Sequence, residues 1–216
     1  MIDLHTHSFL SDGVLIPSEL ARRADAAGYK AIAITDHADH SNIESILYGI
    51  TRAAKVLTKY WGIVVIPGVE LTHIPIETFC QLSKDARKMG ARIVVAHGES
   101  PVEPVLPGTN RAAILAGVDI LAHPGYITEE DAALAAEKGV YLEITARRGH
   151  DLGNKHVFEA ARKTGAKMVL NTDSHMPEDL LSEEKINKII GALTSSCEIK
   201  AEILKNSEDI VARLKR

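Results

Sequence analysis

The stretch RAAILAGVDILAHPG, residues 111–125, contains the unit from which the whole chain is built. It opens as an alanine-rich helical run, stops at Gly117, and passes into the short apolar segment Asp119–Ala122 (DILA), which ends on His123-Pro124. Glycine is favoured just past a helix because it enters the left-handed conformation without a Cβ clash. A short apolar run with no polar alternation reads as a strand buried on both faces, as in a parallel sheet.

The same unit recurs on both sides of this stretch. Helical runs stop at Gly28 (ARRADAAG), Gly90 (KDARKMG), Gly139 (ALAAEKG) and Gly165 (EAARKTG). The apolar runs that follow are residues 31–35 (AIAIT), 92–96 (RIVVA), 140–144 (VYLEI) and 167–171 (KMVLN). Ile2–Leu4 and residues 63–68 (IVVIPG) bring the strand count to about seven. Pro17 suits the first turn of the first helix, and Thr128 followed by Asp131 resembles a capping box. Two further helices, after Ser182 and from Asn206-Ser207, are expected to pack as C-terminal elements. Strands alternating with helices give a parallel sheet with helices outside it, either open or closed into a barrel.

The residues at the strand ends choose between these. His5, His7 and Asp12 follow the first strand, and Asp36-His37 follow the second. Glu70, His97 and His123 follow the next three, and Asp173-Ser174-His175 follow the last. His5 and His7, two residues apart, point the same way from an extended chain. In parallel α/β folds the C-terminal strand ends share one face, and active sites form there. Strands at opposite edges of an open sheet could not share a site, so this set favours a closed or nearly closed barrel. One histidine after a strand is ordinary. Six of the chain's ten, accompanied by carboxylates and never by cysteine, make a metal site. Imidazole with carboxylate and no thiolate suits Zn, Mn or Fe. Nine donors exceed what one ion takes, so two to three divalent ions are expected, with Glu70 and Asp173 as bridging, catalytic carboxylates.

Composition narrows the class. With 216 residues and 45% hydrophobic content, the chain is read as a single domain over 1–216 with one core. A net charge of −4 and 4% aromatic residues argue against nucleic-acid or anionic-membrane partners. Cys80 and Cys197 lie far apart and define no disulfide framework, which fits a reducing cytoplasm. No signal-peptide pattern and no bilayer-spanning apolar run are read.

Taken in order, DLHTHSFLSDG (3–13), ITDH (34–37), PGVE (67–70), LAHPG (121–125) and NTDSH (171–175) resemble the motifs of the polymerase and histidinol phosphatase (PHP) superfamily. The resemblance runs from Ile2 to the final helices. It implies a distorted (β/α)7 barrel of PHP type, α/β in class, with up to three metals at the C-terminal ends of the strands. By motif position it implies His5, His7, Asp12, His37, Glu70, His97, His123, Asp173 and His175 as metal ligands, with no ligand position empty. The implied activity is that of a phosphoesterase, with hydrolysis by a metal-bound hydroxide. The expected partner is a small phosphorylated metabolite, a phosphomonoester such as histidinol phosphate. Alternatives are a nucleotide or bisphosphate phosphoesterase, a 3′-exonuclease-type phosphodiesterase, a C–N amidohydrolase, and a non-catalytic binding module on the same barrel.

The segment 142–154, LEITARRGHDLGN, places Arg147, Arg148 and His150 at the same mouth. Arginine matches phosphate oxygens bidentately, and family members resemble this segment with a phosphate-holding arginine. One of Arg147 and Arg148 is therefore expected to touch phosphate, the two facing opposite ways on extended chain. His150 is a candidate proton donor to the leaving group or, on the blander reading, an exposed loop histidine. Asp36 is expected to accept hydrogen bonds behind the ligands, His40 and His73 to support them or meet substrate, and Ser8, Thr35 and Ser174 to orient ligands or phosphate. His156 sits in a helical pattern and is read as structural. The proline-rich stretch 99–109 (ESPVEPVLPGT) is expected to shape the pocket, with Glu99 and Glu103 suited to an amine-bearing substrate.

Overall fold

The computed structural model describes residues 1–214. Strands β1 (Ile2–Asp3), β2 (Ala31–Ile34), a two-residue β3 (His37–Ala38), β4 (Val64–Leu71), β5 (Ile93–His97), β6 (Ile120–Ala122), β7 (Tyr141–Thr145) and β8 (Met168–Asn171) are all parallel. Seven of them pair in chain order, and β3 is a short addition against the end of β4. Helices α1 (Pro17–Ala26), α2 (Ile43–Tyr60), α3 (Phe79–Lys88), α4 (Thr109–Leu115), α5 (Glu129–Lys138) and α6 (Asn154–Thr164) form the crossovers. The chain ends with α7 (Glu183–Leu193) and α8 (Cys197–Leu214).

The sheet curls into a nearly closed barrel. Between β8 and β1 there is no continuous ladder, and the seam is closed just beyond the strands. Asp173 N–H donates to His5 O at 3.0 Å and His7 N–H to Ser174 O at 2.8 Å. Lower in the seam, Leu4 N–H donates to the Asn171 side chain at 2.9 Å. The metal-competent residues that follow the first and last strands are thus drawn together by the closure itself.

Strand residues alternate between two cores, as a period of two demands. Ala31, Ala33, Ile93, Val95, Ile120, Ala122 and Val169 fill the barrel. Ile32, Ile34, Val94, Leu121 and Leu170 face the helices. The inward row continues upward from Ile66 to Glu70 and from Ile93 to His97, so the strands themselves aim these groups at the mouth. Helix α2 shows the matching helical pattern, burying Ile43, Ile46, Leu47, Ile50, Ala54 and Leu57. Each of these isoleucines and leucines contributes roughly 1.5–3 kcal/mol.

The expected helix stops hold. Gly28, Gly90, Gly117, Gly139 and Gly165 all have φ between +69° and +107°, and Thr128 Oγ1 accepts the Asp131 N–H. One boundary differs from expectation. The last helix begins at Cys197, and Asn206-Ser207 lie buried inside it rather than at its start. Asn206 donates Nδ2–H to Met168 O at 2.8 Å, so a residue that resembles a helix cap is instead a tie to β8. Ile210 and Val211 of α8 pack with the interior residues of the barrel. Among the described residues, no helix is long and apolar enough to cross a membrane.

Candidate metal centre

All nine predicted donors meet at the C-terminal end of the barrel. Among the described residues, three non-glycine residues have left-handed backbone, His73 (φ 51°), His123 (φ 29°) and Asp173 (φ 52°), and all three lie at this mouth. Such conformations cost energy and concentrate where a site needs them. At His123 and Asp173 the chain leaves the strand and turns sharply, and both side chains end among the other donors.

The two predicted bridges face several partners. Glu70 Oε2 lies 2.7 Å from His37 Nδ1, 3.4 Å from His5 Nε2 and 3.6 Å from His7 Nε2, while Oε1 lies 3.7 Å from His123 Nε2. Asp173 Oδ1 lies 3.2 Å from His7 Nε2 and 3.4 Å from His175 Nδ1, and Oδ2 is 3.6 Å from His123 Nε2. Exposed Asp12 approaches from the rim, 3.2 Å from His175 Nε2 and 3.7 Å from His37 Nε2. The donors fall into overlapping groups, among them His5, His7 and Glu70; His5, His123 and Asp173; His7, Asp12, His37 and His175; and His97, His123 and His150.

Several ring orientations are fixed from behind. His5 Nδ1 is 2.8 Å from Glu143 Oε2, His97 Nδ1 is 3.1 Å from Gly98 O, and His175 Nδ1 is 2.9 Å from Asp173 O. With the proton on Nδ1 in each, the Nε2 lone pairs are left facing inward, the arrangement of histidines that ligate metals. His5 Nε2 and His7 Nε2 come within 3.1 Å of each other. Buried Glu70 Oε1 and Asp173 Oδ1 have no hydrogen-bond donor. Buried carboxylate oxygens without donors and inward-facing lone pairs fit divalent cations.

The electrostatics agree. Burial opposes ionisation of Glu70, but His5 and His37 hold its carboxyl well below the usual range. Burial likewise opposes ionisation of Asp173, and His5 with His7 overrides it in the same direction. Burial also opposes charging of His37, yet Glu70 lifts it to about 9. Deeper in, burial pushes His7 down to about 4. The basin therefore holds ionised carboxylates beside at least one neutral imidazole, both competent as ligands.

The PHP domain model matches residues 3–194. The chain belongs to the PHP domain family. It is 47% identical over 215 residues to an uncharacterized protein of Methanocaldococcus jannaschii, covering 98% of this chain and 99% of that one. A “Probable phosphatase” of Acetivibrio thermocellus is 22% identical over 215 residues, covering 92% and 89%. Among solved structures, that of the “putative histidinol phosphatase” of Listeria monocytogenes superposes with a TM-score of 0.61 at 13% identity, covering 86% of this chain and 99% of that one. That likeness shows the shared barrel.

Around the PHP centre the other candidates separate. Asp36 accepts from Ser8 N–H and Oγ–H, each at 2.7 Å, and from Ser11 Oγ–H at 2.7 Å, fixing the loop that carries Asp12. Ser8, Thr35 and Ser174 bond Asp36 or backbone rather than ligand side chains. His40 is exposed, and His156 bonds Ile127 O at 2.7 Å, a structural role. Arg147 and Arg148 lie in a turn, not on extended chain, yet they still differ. Half-buried Arg147 reaches Asp173 O and Asp179 Oδ2, both at 3.5 Å, whereas Arg148 is exposed. Both line a cleft of about 400 Å³ with Lys185, Glu178 and Asp179.

Two expectations are corrected. His150 is buried, not an exposed loop residue, because left-handed Gly149 leads into a 3-10 turn that swings it inward to within 4.3 Å of the His123 ring. Glu99 does not face the pocket. Its Oε1 accepts from Gly108 and Asn110 N–H at 3.0 and 2.9 Å, pinning the neck of its own loop.

Two buried carboxylates beside the donors have no role in the sequence reading. Glu143, fully buried in β7, backs the ring of His5, with Oε2 2.8 Å from Nδ1. Asp3 accepts from His5 N–H at 3.2 Å and from Thr172, tying the seam. Each is the lone acid in a strand, which is the available signal, because a buried acid must be paired.

Proposed function

We propose that this protein is a metal-dependent phosphatase that hydrolyses a small phosphomonoester, through two or three ions held by His5, His7, Asp12, His37, Glu70, His97, His123, Asp173 and His175. The observation that carries this reading is the convergence of nine donors beside an arginine at one barrel mouth. When bound, divalent ions such as Zn, Mn or Fe acidify water near neutral pH and neutralise phosphoryl oxygens. The chain's own groups do the rest. Arg147, steadied by Asp179 and by the carbonyl of Asp173, grips the phosphoryl oxygens at the edge of the basin. Glu70 and Asp173, each facing several histidines, keep the donor groups together. His150, buried at the mouth with its Nε2 3.3 Å from Glu103, is the chain's own group placed to give a proton to the departing oxygen.

The net charge of −4 and the sparse aromatics support a small metabolite, histidinol phosphate among the class, over a nucleic-acid strand. The test is phosphate release by Mn²⁺- and Zn²⁺-loaded protein from a panel of phosphomonoesters that includes histidinol phosphate, nucleotides and bisphosphates. Turnover of a monoester that is lost on chelation and in Glu70→Ala is expected. Loaded, folded protein that releases no phosphate, or that cleaves only phosphodiester strands, overturns the proposal.

A further inference from the structure

We infer that Glu103, on the loop after β5, is a further metal ligand, joining His97 and His73 in a two-histidine, one-carboxylate set at the rim of the basin. This inference rests on the metal reading of the site. Glu103 belongs to none of the motifs, and the loop that carries it is built to present it. At the neck, Glu99 Oε1 accepts from Gly108 and Asn110 N–H, Asn110 Oδ1 accepts from Glu99 N–H at 2.9 Å, and Asn110 Nδ2–H reaches Pro124 O at 3.0 Å. A Cβ on left-handed Gly125 would overlap the Glu99 carbonyl oxygen, so the loops after β5 and β6 are pressed together there. With its neck closed, the loop reaches back over the mouth.

At its tip, Glu103 Oε2 is 3.0 Å from His97 Nε2 and 3.3 Å from His73 Nε2. Its second oxygen, Oε1, is 3.3 Å from His150 Nε2. Donor atoms around a small cation with bonds of about 2.0–2.1 Å stand roughly 3.0–3.4 Å apart, so this spacing accepts an ion. His97 has turned Nδ1 to Gly98 O, leaving Nε2 for Glu103 and the basin. His73 takes a left-handed backbone, costly for a side-chain-bearing residue, and its ring lies 5.1 Å from that of His97. His97 is buried at 3% exposure, while the side chains of His73 and Glu103 are 44% and 36% exposed. A set closed on the protein side and open to solvent leaves room for substrate or water, as catalytic rather than structural sites do. Glu103 is then a ligand on a loop, exchangeable at the point where substrate enters.

The same distances would arise from hydrogen bonds between Glu103 and the histidines with no ion shared, and metal binding separates the two. Wild type, Glu103→Gln, Glu103→Ala and His73→Ala would be stripped of metal and titrated with Zn²⁺ against a competing chelator and with Co²⁺ by visible absorption. Glu103→Gln keeps the loop's size and guards against misfolding, which thermal melts would check. Expected is that all three variants weaken one equivalent of metal by more than the roughly ten- to hundredfold that loss of a mere hydrogen-bond partner causes and shift the Co²⁺ d–d bands as loss of a ligand does, while the remaining equivalents bind as in wild type. Folded variants that bind the wild-type number of ions with wild-type affinity and spectrum would overturn the inference. Wild type that binds no ions would instead sink the metal-centre reading beneath it.

Discussion

Replacing Glu143 by glutamine should loosen the metal centre without touching any ligand. In the structure Glu143 Oε2 receives His5 Nδ1–H at 2.8 Å and Asn171 Nδ2–H at 3.1 Å, with His5 and Glu143 both at 0% exposure. Glutamine fills the same volume and its carbonyl can keep the bond to His5, so no cavity forms. What disappears is the charge. Burial opposes the charging of His5, and Glu143 is foremost among the carboxylates that override burial and raise its pKa well above normal. The same charge makes His5 a better electron donor to a cation on Nε2. A charged hydrogen bond contributes about 1.5–3 kcal/mol against about 0.5–1.5 for a neutral one, a difference of roughly 1–2 kcal/mol. At about 1.4 kcal/mol per decade that is about a five- to thirtyfold loss of metal affinity. Chelator competition at alkaline pH, where no proton competes with the metal for His5, measures it, with thermal melts confirming the fold. Affinity within about twofold of wild type in folded Glu143→Gln would refute the assignment of Glu143 as a positioning residue for His5.

The remaining predictions follow from the same geometry. Arg147→Ala should lower kcat/KM for a phosphomonoester by about ten- to a hundredfold, the value of a charge-assisted contact of about 1.5–3 kcal/mol, while Arg148→Ala stays near wild type. Equal effects in steady-state kinetics would remove Arg147 as the phosphate holder. Chelation should lower the melting temperature by about 5–10 °C per site held at a hundred times its Kd, from about 2.7 kcal/mol of linkage at about 2–4 °C per kcal/mol. An unchanged calorimetric melt would mean that the folded state binds no ion. Burial, partly offset by hydrogen bonds from Thr172 and the His5 amide, lifts Asp3 to about 6. Its folded pKa is raised, so its stabilising contribution is complete below about pH 4 and is lost as pH rises through 6. Metal-free wild type should therefore lose about 3 kcal/mol relative to Asp3→Asn between pH 4 and 7 in chemical unfolding. Parallel stability curves would contradict this.

The architecture was legible because its signals are local. Glycine stops and uninterrupted apolar runs mark helix ends and buried strands residue by residue, and the donors follow the strands that aim them. What stayed hidden depends on contacts between distant segments. Glu143 looks like a polar interruption of VYLEI until β7 and β1 are brought together across the barrel. His150 reads as a loop histidine until the left-handed turn at Gly149 sends it inward. Asn206 has the chemistry of a helix cap, and only the seat of α8 against β8 reveals it as an internal tie. The reach of Glu103 to three histidines depends on the Glu99–Asn110 clasp, whose pairing nothing in the local sequence specifies.

Anomalous diffraction from crystals of the Zn²⁺- or Mn²⁺-loaded protein tests the central claim most directly. Two or three anomalous peaks are expected at the C-terminal mouth of the barrel, within bonding distance of His5, His7, Asp12, His37, Glu70, His97, His123, Asp173 and His175, with Glu70 or Asp173 touching more than one peak. A single peak held by only three of these residues, or ions bound elsewhere with the basin empty, would contradict the polynuclear centre.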